Sequence, residues 1–134
     1  MKKRVTGIGG FFFKSKDHKA LQAWYDKHLG LSFEEKGYHS FIWNDSNENG
    51  KGRTEFSIFK NDTDYLNPSP SPFMMNFRVE NLEELMIELK KEGVTQVGKL
   101  DCYSYGKFAW ILDLDGNKIE LWEPIDEGFD VENN

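Results

Sequence analysis

The sequence predicts an α+β fold built from two βαβββ modules in one chain. Three observations carry this. Apolar patterning gives the order strand, helix, three strands, polar connector, then strand, helix and three strands again. Each helix opens on a capping residue, and the two caps, Asp17 and Asn81, stand 64 positions apart. The same offset of 64 relates Phe13 to Phe77, Leu21 to Leu85 and Tyr25 to Leu89, while Glu55 and Glu120 on the closing strands are 65 apart. Agreement in cap, helix stripe and acidic strand position points to a duplication. The modules span about 5–59 and 73–124, joined by a connector over 60–72. Neither is large enough to be stable alone.

Val5 to Phe13 reads as a buried strand ending in three phenylalanines. Asp17 caps a helix whose stripe is Ala20, Leu21, Trp24, Tyr25, His28 and Leu29, and Gly30 stops it. Leu31–Glu35 and Tyr38–Trp43 read as short strands joined at Gly37, followed by a polar loop from Asn44 to Gly52. Thr54–Phe59 alternates as a strand. Lys60–Pro72 holds Pro68, Pro70 and Pro72 and reads as an extended connector. Phe73–Val79 is the next strand. Asn81 caps a helix with the stripe Leu82, Leu85, Met86 and Leu89, ended by Gly93. Val94–Leu100 is a short strand. Lys107–Leu112 and Lys118–Trp122 pair around Asp113–Asn117, where Asp-Gly supplies turn chemistry. The acidic tail, 125–134, reads as frayed.

At 134 residues the chain is a single domain with room for a core that needs no metal or disulfide. A formal charge of −6 argues against a nucleic-acid footprint. One cysteine, Cys102, forms no internal disulfide, which favours a reducing cytoplasm. With no cation near it in sequence, Cys102 reads as an inert thiol. The apolar run Val5–Phe13 is too short to span a membrane. Gly7-Ile8-Gly9-Gly10 lies before and within a strand, so it reads as close backbone approach, not as a phosphate loop. Aromatic residues make up 15% of the chain, and two readings of that stay open: an acidic, aromatic-rich domain suited to cationic or flat organic ligands, or a core built on Phe under a solvating acidic surface.

Four stretches together resemble the vicinal oxygen chelate superfamily of glyoxalases, bleomycin-resistance proteins and extradiol dioxygenases. They are Gly7–Asp17, Ala23–Leu31, Asn76–Leu82 and Leu112–Pro124. The resemblance runs from about Val5 to Pro124. It implies two βαβββ modules forming a curved mixed sheet around a shared cleft, and a homodimer. In metal-dependent members, the resemblance places ligands at four strand positions. Here those fall on Gly10, Glu55, Met74 and Glu120. Glycine offers no donor, and a thioether suits soft ions, not the divalent ions of this family. His18, His28 and His39 stand at the wrong places to substitute. No metal cofactor is therefore expected.

Alternation from Glu120 predicts which side chains face the cleft. Phe41, Trp43, Trp110 and Trp122 would form aromatic walls, with Glu55, Glu120, Asn76 and Arg78 as polar groups. Two uses of this face stay open: a small-molecule site, or filling of a closed cleft or dimer interface. Arg78 could equally form a structural ion pair with Glu55 or Glu120. No catalytic residue is defined; a metal-free carboxylate among apolar neighbours would act as a base, and Glu120 is the best candidate. The expected function is metal-free binding of a small organic ligand, cationic or aromatic. The alternative is a metal-dependent lyase, isomerase or dioxygenase of the glyoxalase type with a shifted metal site.

Overall fold

The computed structural model describes residues 4–43 and 52–125. Residues 44–51 of the polar loop and the tail beyond Ile125 lie outside the described residues. The elements are β1 (Val5–Ser15), α1 (His18–Leu29), α2 (Phe33–Lys36), β2 (His39–Ile42), β3 (Arg53–Lys60), β4 (Phe73–Val79), α3 (Leu82–Lys91), β5 (Gln96–Tyr103), β6 (Gly106–Leu112) and β7 (Lys118–Pro124). The strands form one curved mixed sheet in the order β2-β3-β1-β4-β7-β6-β5, and the sheet does not close.

The two modules meet edge to edge through the antiparallel pair β1 and β4. Each module then repeats a parallel pair, β1 with β3 and β4 with β7. The helices cover the convex face. Leu82, Leu85 and Met86 of α3 pack on Val79, Ala109 and Leu121. On the other module, Leu21 and Tyr25 of α1 pack with Phe33, Phe56 and Ile58. A third cluster, Phe12, Leu66 and Met74 with Phe59 and Trp110 against it, lies on the concave face.

The caps behave differently in the two modules. Asp17 accepts the Ala20 N–H at 3.0 Å, and Gly30 closes α1 in the left-handed region at φ 71°. Asn81, expected to cap α3, is itself left-handed at φ 52° and makes no capping hydrogen bond. Glu123 on β7 does that work, accepting the Leu82 N–H at 2.7 Å. A carboxylate there also suits the positive end of the helix dipole.

Leu31–Glu35, read as a strand, contains the start of a helix instead. The Asp26 carboxylate accepts the Phe33 and Glu34 N–H groups at 2.8 and 2.9 Å, capping α2 from a distance. Gly37, at φ 84°, ends that helix, with its N–H on the Phe33 carbonyl. The local apolar pattern is blind to such a cap because the capping carboxylate sits on another helix.

The connector is also not a simple extended spacer. It turns back over the concave face, burying Leu66 completely and bonding Ser71 Oγ to Asn117 Oδ1 at 2.6 Å. Proline content describes its backbone preference but not where the chain is drawn by burial. The short strand expected over Val94–Leu100 runs further, to Tyr103. There Cys102 is exposed and paired across the strands with Lys107, a cationic neighbour that only the pairing reveals.

Candidate functional site

The concave face is built by side-chain alternation from six strands. Ser40 stands opposite Glu55 across β2 and β3; Gly10 is the partner of both Glu55 and Asn76 on β1; Asn76 partners Glu120; and Trp110 partners Glu120 from β6. Glu55 and Glu120 therefore lie on one continuous face, separated by the two strands that carry Gly10 and Asn76.

The register corrects one consequence of the constant offset. Asn76, not Met74, stands beside Glu120 as Gly10 stands beside Glu55. The reason is that β4 reaches its helix in fewer residues than β1 does. Seven positions separate Gly10 from Asp17, but five separate Asn76 from Asn81, where the chain turns sharply at a left-handed φ. Met74 lies two residues along the strand and is fully buried against Phe12 and Leu66.

Glu120 is 4% exposed and carries three hydrogen bonds. Its Oε1 accepts from Asn76 Nδ2 at 2.6 Å, and its Oε2 accepts from Trp110 Nε1 at 2.9 Å and from the Tyr65 hydroxyl. Tyr65 comes from the connector, and no local pattern in the sequence marks it as a site residue. Burial, and then the neighbouring Glu120 charge, hold its phenol well above the ordinary tyrosine range. Lys118 Nζ donates to the Tyr65 carbonyl at 2.6 Å and lies 5.2 Å from the Tyr65 ring. Burial lowers the Lys118 pKa, against the opposing pull of Glu120.

Glu55 is half-buried on the other half of the face. Ser40 Oγ lies 2.9 and 2.7 Å from its two oxygens and donates its one proton to either. Loss of water raises the Glu55 pKa; the Ser40 hydrogen bond and then the Arg53 charge oppose that rise without cancelling it.

The aromatic walls are only partly as expected. Arg78 is buried between two indoles, its guanidinium carbon 4.8 Å from the Trp43 ring and 5.2 Å from the Trp122 ring. Phe108 extends that column by stacking on Trp122 at 5.8 Å and 7°. Trp110 faces Glu120 as the hairpin spacing predicts. Phe41 does not join them. Ser40 opposite Glu55 sets Phe41 opposite Thr54, on the convex side with His39, whose ring it meets edge-on at 4.5 Å. β2 ends at Ile42, so alternation does not carry through to Trp43, and the two residues do not share a face. Trp43 instead lies over Gly7 and Gly52, where a Cβ would fall 2.5 Å from its ring at either position.

The residues at the implied metal positions do not fit a divalent ion. Gly10 has no donor, and a Cβ there would fall 2.8 Å from the Phe12 ring that lies over it. The Met74 thioether is packed in an apolar cluster. Both Glu120 oxygens already accept from neutral donors. Among the described residues, no three of His, Cys, Asp and Glu converge as a metal site requires. Among the described residues the buried Asn76 Oδ1 has no conventional partner, but it faces the Gly9 backbone and not an open coordination site.

Two parallel pairs joined edge to edge, with carboxylates at matching positions on a concave face, define a glyoxalase-type scaffold. The model of the Glyoxalase/Bleomycin resistance protein/Dioxygenase superfamily matches residues 8–121, and the chain belongs to that superfamily. Among solved structures, methylmalonyl-CoA epimerase from Mycobacterium tuberculosis is similar at 18% identity, covering 92% of this chain and 91% of the other, with a TM-score of 0.59. A variant of Streptomyces coelicolor methylmalonyl-CoA epimerase, in complex with 2-nitronate-propionyl-CoA, gives 15% identity, 90% and 99% coverage and a TM-score of 0.63. A glyoxalase/bleomycin resistance protein/dioxygenase superfamily member from Vibrio splendidus 12B01 gives 11% identity, 90% and 97% coverage and a TM-score of 0.53. At these identities the likeness is one of fold. No curated relative matches the sequence. Among the described residues no helix is long and apolar enough to cross a membrane.

Proposed function

We propose that this chain binds a small organic ligand on its concave face without a metal ion, and that the ligand presents a basic nitrogen to Glu55. The observation that carries this is the state of Glu55. Its carboxylate is partly stripped of water, and among the described residues its hydrogen-bond partner is the single hydroxyl of Ser40. Such a group gains most from a ligand that brings both a proton donor and a positive charge. The Trp43–Trp122 column is not the place for that charge, because Arg78 already fills it. Arg78 and Asn76 act as walls and supports in this reading, and Glu120 is a structural acceptor for its three donors.

The same reading places the protein in a reducing cytoplasm, with its one cysteine as a free thiol. It also makes the chain a homodimer, with Phe41 and Ile42 exposed on edge strand β2; solution mass tests that part.

Binding is tested by titrating the natural chain with a panel of aromatic and aliphatic amines and reading tryptophan fluorescence. Saturable quenching that is lost in Glu55→Gln supports the reading. A flat response across the panel overturns it. Metal analysis after incubation with Ni²⁺, Zn²⁺, Mn²⁺ or Fe²⁺ is the second arm. A stoichiometric ion lost in Glu55→Gln or Glu120→Gln would overturn metal-free binding and favour the metal-dependent alternative.

A further inference from the structure

Of the three donors to Glu120, one differs in kind. Asn76 and Trp110 stand on the strands flanking β7, whereas Tyr65 arrives on the connector. The Tyr65 phenol is held as a free phenol would be in a binding site. Its hydroxyl meets a buried acceptor, Glu120. Its ring has Phe59 at 5.6 Å and 62° and Trp110 at 6.3 Å and 87° as edge-on walls, and Lys118 Nζ 5.2 Å from its centre. Anchoring and exposure are separated along the chain. Leu66 is fully buried against Phe12 and Met74, while Tyr65 remains 38% exposed. The backbone can therefore stay fixed while the Tyr65 side chain rotates into solvent, releasing one charge-assisted hydrogen bond and its ring contacts.

We propose that Glu120, Trp110, Asn76 and Lys118 frame a subsite for a phenolic ring, and that Tyr65 is its internal occupant, a gate that an external phenol displaces. The inference rests on the reading of the concave face as a binding surface, but it needs neither Glu55 nor a cationic ligand. The gate lowers the apparent affinity for an external phenol by the fraction of time Tyr65 is swung out. It also selects for ligands that replace the lost hydrogen bond, because an empty subsite leaves the Glu120 carboxylate one donor short in a poorly hydrated place.

The probe is p-cresol, the tyrosine side chain as a free molecule, with toluene as the same shape lacking the hydroxyl. Binding is read by tryptophan fluorescence and by the NMR resonance of the Trp110 indole N–H, which shares the Glu120 acceptor. Tyr65→Ala is expected to bind p-cresol at least about tenfold more tightly than the natural chain, and to prefer it to toluene. Tyr65→Phe keeps the ring and deletes only the hydroxyl, so it is expected to bind p-cresol about threefold more tightly than the natural chain. If Tyr65→Ala does not fold, Tyr65→Phe decides alone. Variants that bind p-cresol no more tightly than the natural chain overturn the proposal. So does a Tyr65→Ala protein that takes toluene as readily as p-cresol, since that is a hole made by truncation. Amine binding without a p-cresol response removes the gate and leaves the Glu55 reading; the converse result does the opposite.

Discussion

Gly9 and Asn76 fit together through an atom that Gly9 lacks. A Cβ at Gly9 would collide with Asn76 Oδ1 and fall 3.0 Å from the Trp122 ring. The Gly9 Cα–H in that direction points at the oxygen instead, a weak C–H···O contact for an atom with no other partner among the described residues. The glycine therefore leaves room for the Asn76 rotamer that delivers its Nδ2 to Glu120.

Gly9→Ala is expected to destabilise the fold by about 3 kcal/mol, because the overlap is with a buried side chain pinned by Glu120. Gly37→Ala is the contrast. Nothing lies within 4 Å of a Cβ there, and only the left-handed φ of 84° resists it, so the expected cost is about 1 kcal/mol. Urea denaturation midpoints of the two variants check the order.

Glu120→Leu should be among the most damaging single changes on the concave face. It removes the shared acceptor of Asn76, Trp110 and Tyr65 and leaves buried donors unsatisfied, at an expected cost of about 3–5 kcal/mol. Glu120→Gln retains one acceptor oxygen but turns an amide toward existing donors, and should cost less, about 1–3 kcal/mol. Thermal or denaturant unfolding that ranks the two in the opposite order would remove Glu120 from its role as hub.

Leu66 tests whether the connector is held by burial. Leu66→Ala should cost about 3 kcal/mol, since the side chain is fully buried between Phe12 and Met74. Leu114, 102% exposed in the β6–β7 turn, is the control, and Leu114→Ala should be neutral within about 0.5 kcal/mol. Limited proteolysis should cut the connector faster in Leu66→Ala and at the natural rate in Leu114→Ala.

The pH dependence expected of Glu55 follows from its raised pKa. An acid with a higher pKa in the folded chain than in the unfolded chain keeps its proton longer when folded. Between those two values the folded state binds more protons, so this group's contribution to stability falls as pH rises through that window. Below the unfolded value the effect is absent. Above the folded value the penalty of a desolvated carboxylate is fully present. Glu55→Gln should lack this component. Its stability relative to the natural chain should therefore increase from acidic to neutral pH, as read by denaturant midpoints across that range.

The repeated order of elements is legible in the sequence because it depends on local periodicity. The helix stripe of α3, the stop of α1 at Gly30 and the Asp-Gly turn all rest on residues near each other in the chain. The stripe expected for α1 holds only at Leu21 and Tyr25; Trp24 and Leu29 are exposed, and the buried residue is Gln22, whose amide donates to the Ile58 carbonyl of β3. The facing of Trp110 and Glu120 is legible for the same reason, since one short hairpin fixes it. Features that local pattern misplaces share the opposite property. The Asp26 cap that makes 33–36 helical, the Glu123 cap on α3 and the Cys102–Lys107 pairing each join separate elements. Phe41 turns away from the cleft because the β2–β3 register sets Ser40 beside Glu55, and that register is a pairing between strands that local pattern does not contain.

The sequence by itself determined the two-module α+β fold, the pairing of carboxylates at Glu55 and Glu120, and an aromatic-rich sheet face. Only the tertiary structure decided that these carboxylates are unlike. Glu120 lies under Tyr65 and is fully engaged, whereas Glu55 keeps Ser40 as its hydrogen-bond partner. The physical reason is that the difference is made by the connector and by the tight junction between β4 and α3. The connector is placed by the burial of Leu66 against strands distant in sequence. The junction seats Asn76 where a constant offset would put Met74. Local pattern fixes which residues a strand offers, but long-range packing fixes which of them are left for a ligand to meet.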